Sequence, residues 1–176
     1  AVALETLDSK QSEAICQALA DQWQRLGAPR YLQVDNELSF RGSNRYPRSV
    51  GLLGRLCLHA GVELVFIPEG EPWRNGVVER FNETYDKNFL RRQRFPSIDT
   101  LRQELRQFQQ FHNEHHRYAK LGQRTPQAVH RRRRCSTGFG IRTLETIRQS
   151  WKDGRISFIR LTDHRGTVRF FTERFA

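Results

Sequence analysis

Two short runs of branched and aromatic residues, Tyr31-Leu32-Gln33-Val34 and Val62-Glu63-Leu64-Val65-Phe66-Ile67, each follow a stretch whose apolar residues recur at helical spacing. Strands of that length, alternating with helices, restrict the chain to an α/β layer architecture, because each strand must bury a face against the helices between. Ahead of the first run, Ile15, Ala18, Leu19, Trp23 and Leu26 share one helix face that stops at Gly27. Asp8 as N-cap, with Gln11 three residues on, reads as its capping box. Ala1 to Leu7 reads as a short strand, residues 41–49 as a polar loop, and Val50 to Ala60 as a helix broken at Gly61. After the second run a helix extends from Trp73 to about Arg92, with Val78, Phe81, Tyr85 and Phe89 on its core face. Ser97 opens another, with Leu101, Leu105, Phe108 and Phe111 inward, and Thr125-Pro126 starts a short one.

From His130 the composition changes. Arg131, Arg132, Arg133 and Arg134 form a basic run, Cys135 to Gly140 reads as a linker, and a short helix is expected near Ile141–Gln149. Ile156, Phe158 and then Thr167, Arg169, Phe171 alternate on either side of Asp163-His164-Arg165-Gly166, the pattern of a hairpin. Two strands cannot bury a core alone, so this hairpin must pack on something or open a truncated domain.

Thirty Lys+Arg against nineteen Asp+Glu give a net charge of +11. Residues 1–40 hold three basic and six acidic groups, so the excess lies beyond them. A charge so concentrated points to a polyanionic partner, since neutralising phosphates releases counterions. Nothing reads as a membrane span or a signal peptide, and three well-separated cysteines, Cys16, Cys57 and Cys135, read as reduced thiols of a cytoplasmic protein. The chain has no methionine and begins at Ala1, the expectation for a fragment or processed piece.

Chemistry gathers around two acids. Asp35 closes the first apolar strand, where open α/β sheets place their sites. Glu79 lies on the first turns of the helix after Pro72-Trp73-Arg74-Asn75-Gly76. Paired carboxylates suit hard divalent cations, which activate an attacking oxygen and stabilise a leaving one at a phosphodiester. A lone strand-end Asp more often caps a turn, and the stripe Asn75, Glu79, Asn82, Asp86 could be an ordinary solvated face. The loop Ile67 to Gly76, with its Pro, Gly and Pro, favours function; Glu83 and Asp86 are reserves. Trp73 either stacks on a base or pins the loop to the core. His112, His115 and His116 with Cys135 lack standard zinc spacing and read as a polar helix end.

At Leu32-Gln33-Val34-Asp35-Asn36 and at Pro72 to Asn82, with its Asn75-Gly76…Glu79-Arg80 pattern, the chain resembles the catalytic core of DDE transposases and retroviral-type integrases. The resemblance covers roughly residues 1–130. Phe111 to Arg117 with Leu121 to Pro126 resembles the end of the core in bacterial insertion-sequence members. It implies a ribonuclease-H-like α/β fold, a mixed sheet flanked by helices with its first strands missing. Residues 131–150 would be a basic linker and short helix, and 151–176 the truncated start of a small DNA-binding barrel. It also implies that Asp35 and Glu79 are catalytic, metal-binding acids for Mg²⁺ or Mn²⁺, that DNA ends and target DNA are the partners rather than a small molecule, and that the protein is a homo-oligomer in the bacterial cytoplasm, nucleoid-associated. Trp73, Arg74, Asn75, Arg80 and Arg131 to Arg134 are the candidate DNA contacts. The family's first Asp lies upstream of the segment matching Ala1–Leu7, so the chain as given is expected to bind DNA without cutting it. Glu37-Leu38-Ser39 stands where the family usually has Gly-Pro-Glu, and an insertion at Arg41–Ser49 lengthens the spacing to Glu79. The rival readings are a DNA-binding remnant without chemistry and a ribonuclease.

Overall fold

A computed structural model describes residues 2–42, 50–68, 70–132, 144–150, 152–159, 164, 168–170 and 173–175. Two compact units divide the chain, Ala1–Leu7 with Gly76–Cys135, and Asp8–Asn75 with Ser136–Ala176.

The second of these holds a three-stranded sheet of order β1-β2-β3, formed by β1 (Tyr31–Val34), β2 (Glu63–Phe66) and β3 (Ile156–Phe158), parallel throughout. Both strands read from the sequence are there, and the mixed sheet expected is parallel over the described residues. Leu64 and Phe66 are buried and Leu32 and Val34 half-buried, whereas Tyr31 and Gln33 are exposed. That alternation turns one sheet face onto α1 (Ser12–Leu26) and α3 (Leu52–Ala60). Cys16, Ala20, Trp23, Leu53, Leu56 and Cys57 fill the layer between. Burial pushes the Cys16 thiol up to about 12 and the Cys57 thiol higher still, so both are inert packing groups. The helix start differs from the capping box expected: Gln11 is the N-cap of α1, with no side-chain cap bond. Gly61, in the left-handed conformation at φ 68°, ends α3 where the sequence placed the break.

The C-terminal segment corrects the hairpin. Ile156–Phe158 pairs with β2, not with the strand after residue 166. Phe158 stacks on Phe66 with centroids 4.6 Å apart, and Ser157 donates to Glu63 Oε1 at 2.5 Å. α7 (Leu144–Gln149) precedes it, with Ile147 wholly buried in the same core. Arg148 pairs with Glu13, and Arg55 Nη1 donates to the Arg148 carbonyl at 3.2 Å. A separate antiparallel pair joins β4 (Val168–Phe170) to β5 (Glu173–Phe175). Residues 144–159 thus belong to the sheet layer. An edge strand of β2 needs partners for its backbone, and β3 supplies them.

The other unit is built on α4 (Gly76–Tyr85), continued by a π-helical stretch Asp86–Leu90, and on α5 (Ile98–Glu114). Ser97 caps α5 as expected, its hydroxyl accepting from Thr100 N–H at 3.1 Å. Phe81, Tyr85, Phe89, Phe95 and Phe108 interlock, with ring centroids 5.1–6.4 Å apart. Val78 and Phe111, expected inward, are 58% and 59% exposed. Residues 2–7 form no strand. Side chains of α5 hold this segment: Asn113 exchanges two bonds of 2.8 Å with the Val2 backbone, Gln109 Oε1 accepts from Leu4 N–H at 2.6 Å, and Arg102 Nε donates to the Thr6 hydroxyl at 3.1 Å. α6 (Pro126–Arg132) opens where Thr125-Pro126 predicted, with Thr125 Oγ1 accepting from Ala128 N–H at 3.3 Å.

Candidate active site

Parallel pairing brings the C-terminal ends of β1 and β2 together, and Ile67 N–H extends the ladder to the Val34 carbonyl at 3.0 Å. The chain then turns at Asp35-Asn36. Asn36 Nδ2 donates to the Ile67 carbonyl at 2.7 Å, tying the turn to the neighbouring strand. Asp35 Oδ1 accepts from Glu37 N–H at 3.0 Å, an Asx-turn that fixes the carboxylate direction. The Asp35 side chain is exposed, so its oxygens are open to a ligand. The residue therefore caps a turn, as a strand-end Asp ordinarily does, while its carboxylate stands exposed at the end of the strand. Glu37-Leu38-Ser39 leads directly into α2 (Leu38–Arg41), an element the sequence did not reveal.

The loop from Pro68 to Asn75 is anchored from the polar face of β1. Gln33 Nε2 donates to the Arg74 carbonyl at 3.0 Å and to Asn75 Oδ1 at 3.4 Å. Glu71, 7% exposed, pairs with the Arg74 guanidinium, and Arg74 N–H donates to the Glu71 carbonyl at 3.2 Å. Arg74 and Asn75, candidate DNA contacts, thus hold the loop together. Neither role showed in the sequence, since Gln33 and Glu71 look like ordinary polar residues there. Trp73 is 67% exposed, which removes the reading in which it pins the loop to the core.

Glu79 lies in the first turn of α4, exposed, where the helix N-terminus favours negative charge. Arg80 and Asn82 are exposed beside it. The reserve acids are engaged: Glu83 with Lys87 at 2.5 Å, which holds its carboxyl below the usual range, and Asp86 with Arg91 at 2.6 Å. Asp35 belongs to the sheet unit and Glu79 to the helical one. Among the described residues no group of three or more His, Cys, Asp or Glu is placed to hold a metal ion.

His112 is more than a polar helix end. It is 4% exposed, hydrogen-bonds the Tyr118 hydroxyl at 3.0 Å, and meets Phe81 edge-on at 5.0 Å. Burial, with repulsion from the stacked His116, lowers its pKa. Arg131 and Arg132 form the last turn of α6 rather than a linker, while Arg133, Arg134 and Cys135 lie outside the described residues, as do most of residues 160–167. No helix of the described residues is long and apolar enough to cross a membrane.

No curated protein and no solved structure matches the chain. The family model described as "Integrase core domain" matches residues 60–126, from the end of α3 to the start of α6. That span includes the Pro68–Asn75 loop and Glu79 and leaves Asp35 outside. Over residues 60–126 the chain is therefore similar to an integrase core domain, which supports the resemblance to retroviral-type integrases and DDE transposases.

Proposed function

We propose that the protein serves DNA transposition or integration through metal-dependent strand cleavage and strand transfer, with Asp35 and Glu79 as its acidic residues. The observation that carries this reading is Asp35, an exposed carboxylate fixed by the Glu37 N–H at the end of a parallel strand. The integrase core match over Glu79 supports it. Exposed carboxylates fit Mg²⁺ or Mn²⁺, hard ions that prefer oxygen ligands. Such ions, when bound, lower the cost of charge on the attacking and leaving oxygens.

The chain's own residues then position DNA. The exposed Trp73 indole offers a stacking face, and Arg80, one residue beyond Glu79, offers a cation to the backbone. Arg131, Arg132, Arg133 and Arg134 add phosphate contacts that hold without reading sequence. Two DNA ends require two active sites, hence a homo-oligomer on DNA in the bacterial nucleoid. A second reading is DNA binding without chemistry, which the exposed cations Arg74 and Arg80 would serve without any metal.

One assay separates the readings. Supercoiled DNA and an RNA–DNA hybrid are incubated with the protein in Mg²⁺ and in EDTA. DNA nicking that needs Mg²⁺ and is lost in Glu79→Gln supports strand cleavage. DNA binding without cleavage of either substrate supports the non-catalytic reading, and cleavage confined to the hybrid would replace both with a ribonuclease.

A further inference from the structure

The register Tyr31↔Glu63 marks the end of the sheet opposite Asp35. There lies an open surface pocket of about 400 Å³, within the range of roughly 300–1,000 Å³ typical of small-ligand sites. Leu58 and Val62, 8% and 2% exposed, form its apolar floor. Arg30 and Arg155, both exposed, stand on its rim with Glu63. Glu63 is already engaged: Oε1 accepts the Ser157 hydroxyl at 2.5 Å, and Oε2 lies 3.9 Å from Arg155. Two guanidiniums against one carboxylate leave the pocket one positive charge in excess.

The pocket is built from backbone fitted closely. Glu63 N–H donates to the Arg30 carbonyl at 3.0 Å, which fixes Arg30 beside the mouth. A Cβ at Gly154 would come within 2.6 Å of Leu58 Cδ2, the end of a flexible side chain, so the Arg155 segment lies close against Leu58. Gly61, at φ 68°, makes the turn on the other side. The Arg30 guanidinium sits 5.0 Å from the centroid of the Tyr31 ring, which is itself 49% exposed. Lys152, on the same segment as Arg155, adds a further cation as its Nζ donates to the His59 carbonyl at 3.5 Å.

We propose that Arg30 and Arg155 form a clamp for a backbone phosphate of DNA, distinct from the carboxylate site; the inference rests on the DNA reading above. Guanidinium forks match phosphate oxygens in pairs, the apolar floor suits a deoxyribose, and the Tyr31 ring gives a face for stacking. A strand of four residues spans roughly 13 Å, well short of the roughly 34 Å of one duplex turn. A single duplex can therefore lie at both ends of β1, its grip at the clamp setting its register at Asp35.

The test is binding of a 20-base-pair duplex by fluorescence anisotropy over a range of salt, with amide shifts of Gly61, Glu63 and Gly154 read by NMR. Arg30→Ala/Arg155→Ala should bind about tenfold more weakly at moderate salt, with a salt slope lower by about one per phosphate lost. Arg30→Lys/Arg155→Lys, which keeps the charge, should retain most of that slope. Duplex should shift the three amides in wild type and not in the alanine variant. Wild-type affinity and slope in the alanine variant, unmoved amides while DNA binds, or a lysine variant as weak as the alanine one would each overturn the clamp. Loss of nicking in Glu79→Gln alongside an intact alanine variant would reject the clamp and keep the catalytic reading. Clamp binding without nicking would do the reverse, and absence of DNA binding in wild type would reject both.

Discussion

Ile147→Ala probes whether residues 144–159 belong to the sheet unit or form an appended module. Ile147 is 0% exposed and sits in the cluster with Leu53, Leu56 and Cys57. The substitution removes three carbons, about 2.4 kcal/mol at roughly 0.8 kcal/mol per buried CH₂. The cavity left against α1 and α3 raises this to about 3–4 kcal/mol, inside the roughly 2–5 kcal/mol range for Ile→Ala in a core. For a chain of this size, each kcal/mol moves Tm by roughly 2–4 °C, so a fall of about 6–16 °C is expected. Urea unfolding followed by far-UV circular dichroism is the assay, with the midpoint falling and the slope unchanged. A change below about 0.5 kcal/mol, the ordinary surface effect, would refute the packing of α7 into this core and restore the appended-module reading.

Asn36→Ala should cost about 1 kcal/mol through loss of its hydrogen bond to the Ile67 carbonyl and should weaken metal binding by loosening the Asp35 turn; titration of Mn²⁺ beside the urea midpoint checks both. His112, its pKa lowered by burial from 6.5, binds a proton more readily unfolded than folded, so acid draws the chain toward unfolding. Stability should therefore fall as pH drops below about 6.5 toward the folded-state pKa and be flat above it on this group's account, a slope that His112→Gln should remove from pH-dependent urea melts. Cys16 and Cys57 should react with a thiol reagent only on unfolding, because burial keeps both protonated; fast labelling of the native protein would contradict their placement.

Periodicity was enough to find two of the three strands of the sheet, β1 and β2, with α1, α3 and α5, because each carries a face that can be buried in only one way. The Asp35 turn was also visible, since a polar pair closing an apolar run has few other uses. What stayed hidden depends on partners distant in sequence. Ile156–Phe158 alternates equally well for a hairpin or for the edge of β2, and only its contacts with the buried Phe66 and half-buried Glu63 decide between them. Residues 2–7 look like a strand, yet Asn113 and Gln109 supply their hydrogen bonds from a helix. Gln33 and Glu71 organise the loop before α4 through contacts that no local pattern encodes. Arg30 and Arg155 lie far apart in the chain and share a pocket only after β3 joins the sheet.

Whether Asp35 and Glu79 serve one ion is the claim on which the catalytic reading turns. Mn²⁺ affinity measured by electron paramagnetic resonance on wild type, Asp35→Asn, Glu79→Gln and the double variant tests it as a thermodynamic cycle. If the two carboxylates share an ion, each single change should weaken binding about tenfold or more, as loss of a ligand does, and the double variant should be little worse than either single one. Strictly additive losses, or wild-type affinity in either single variant, would contradict it.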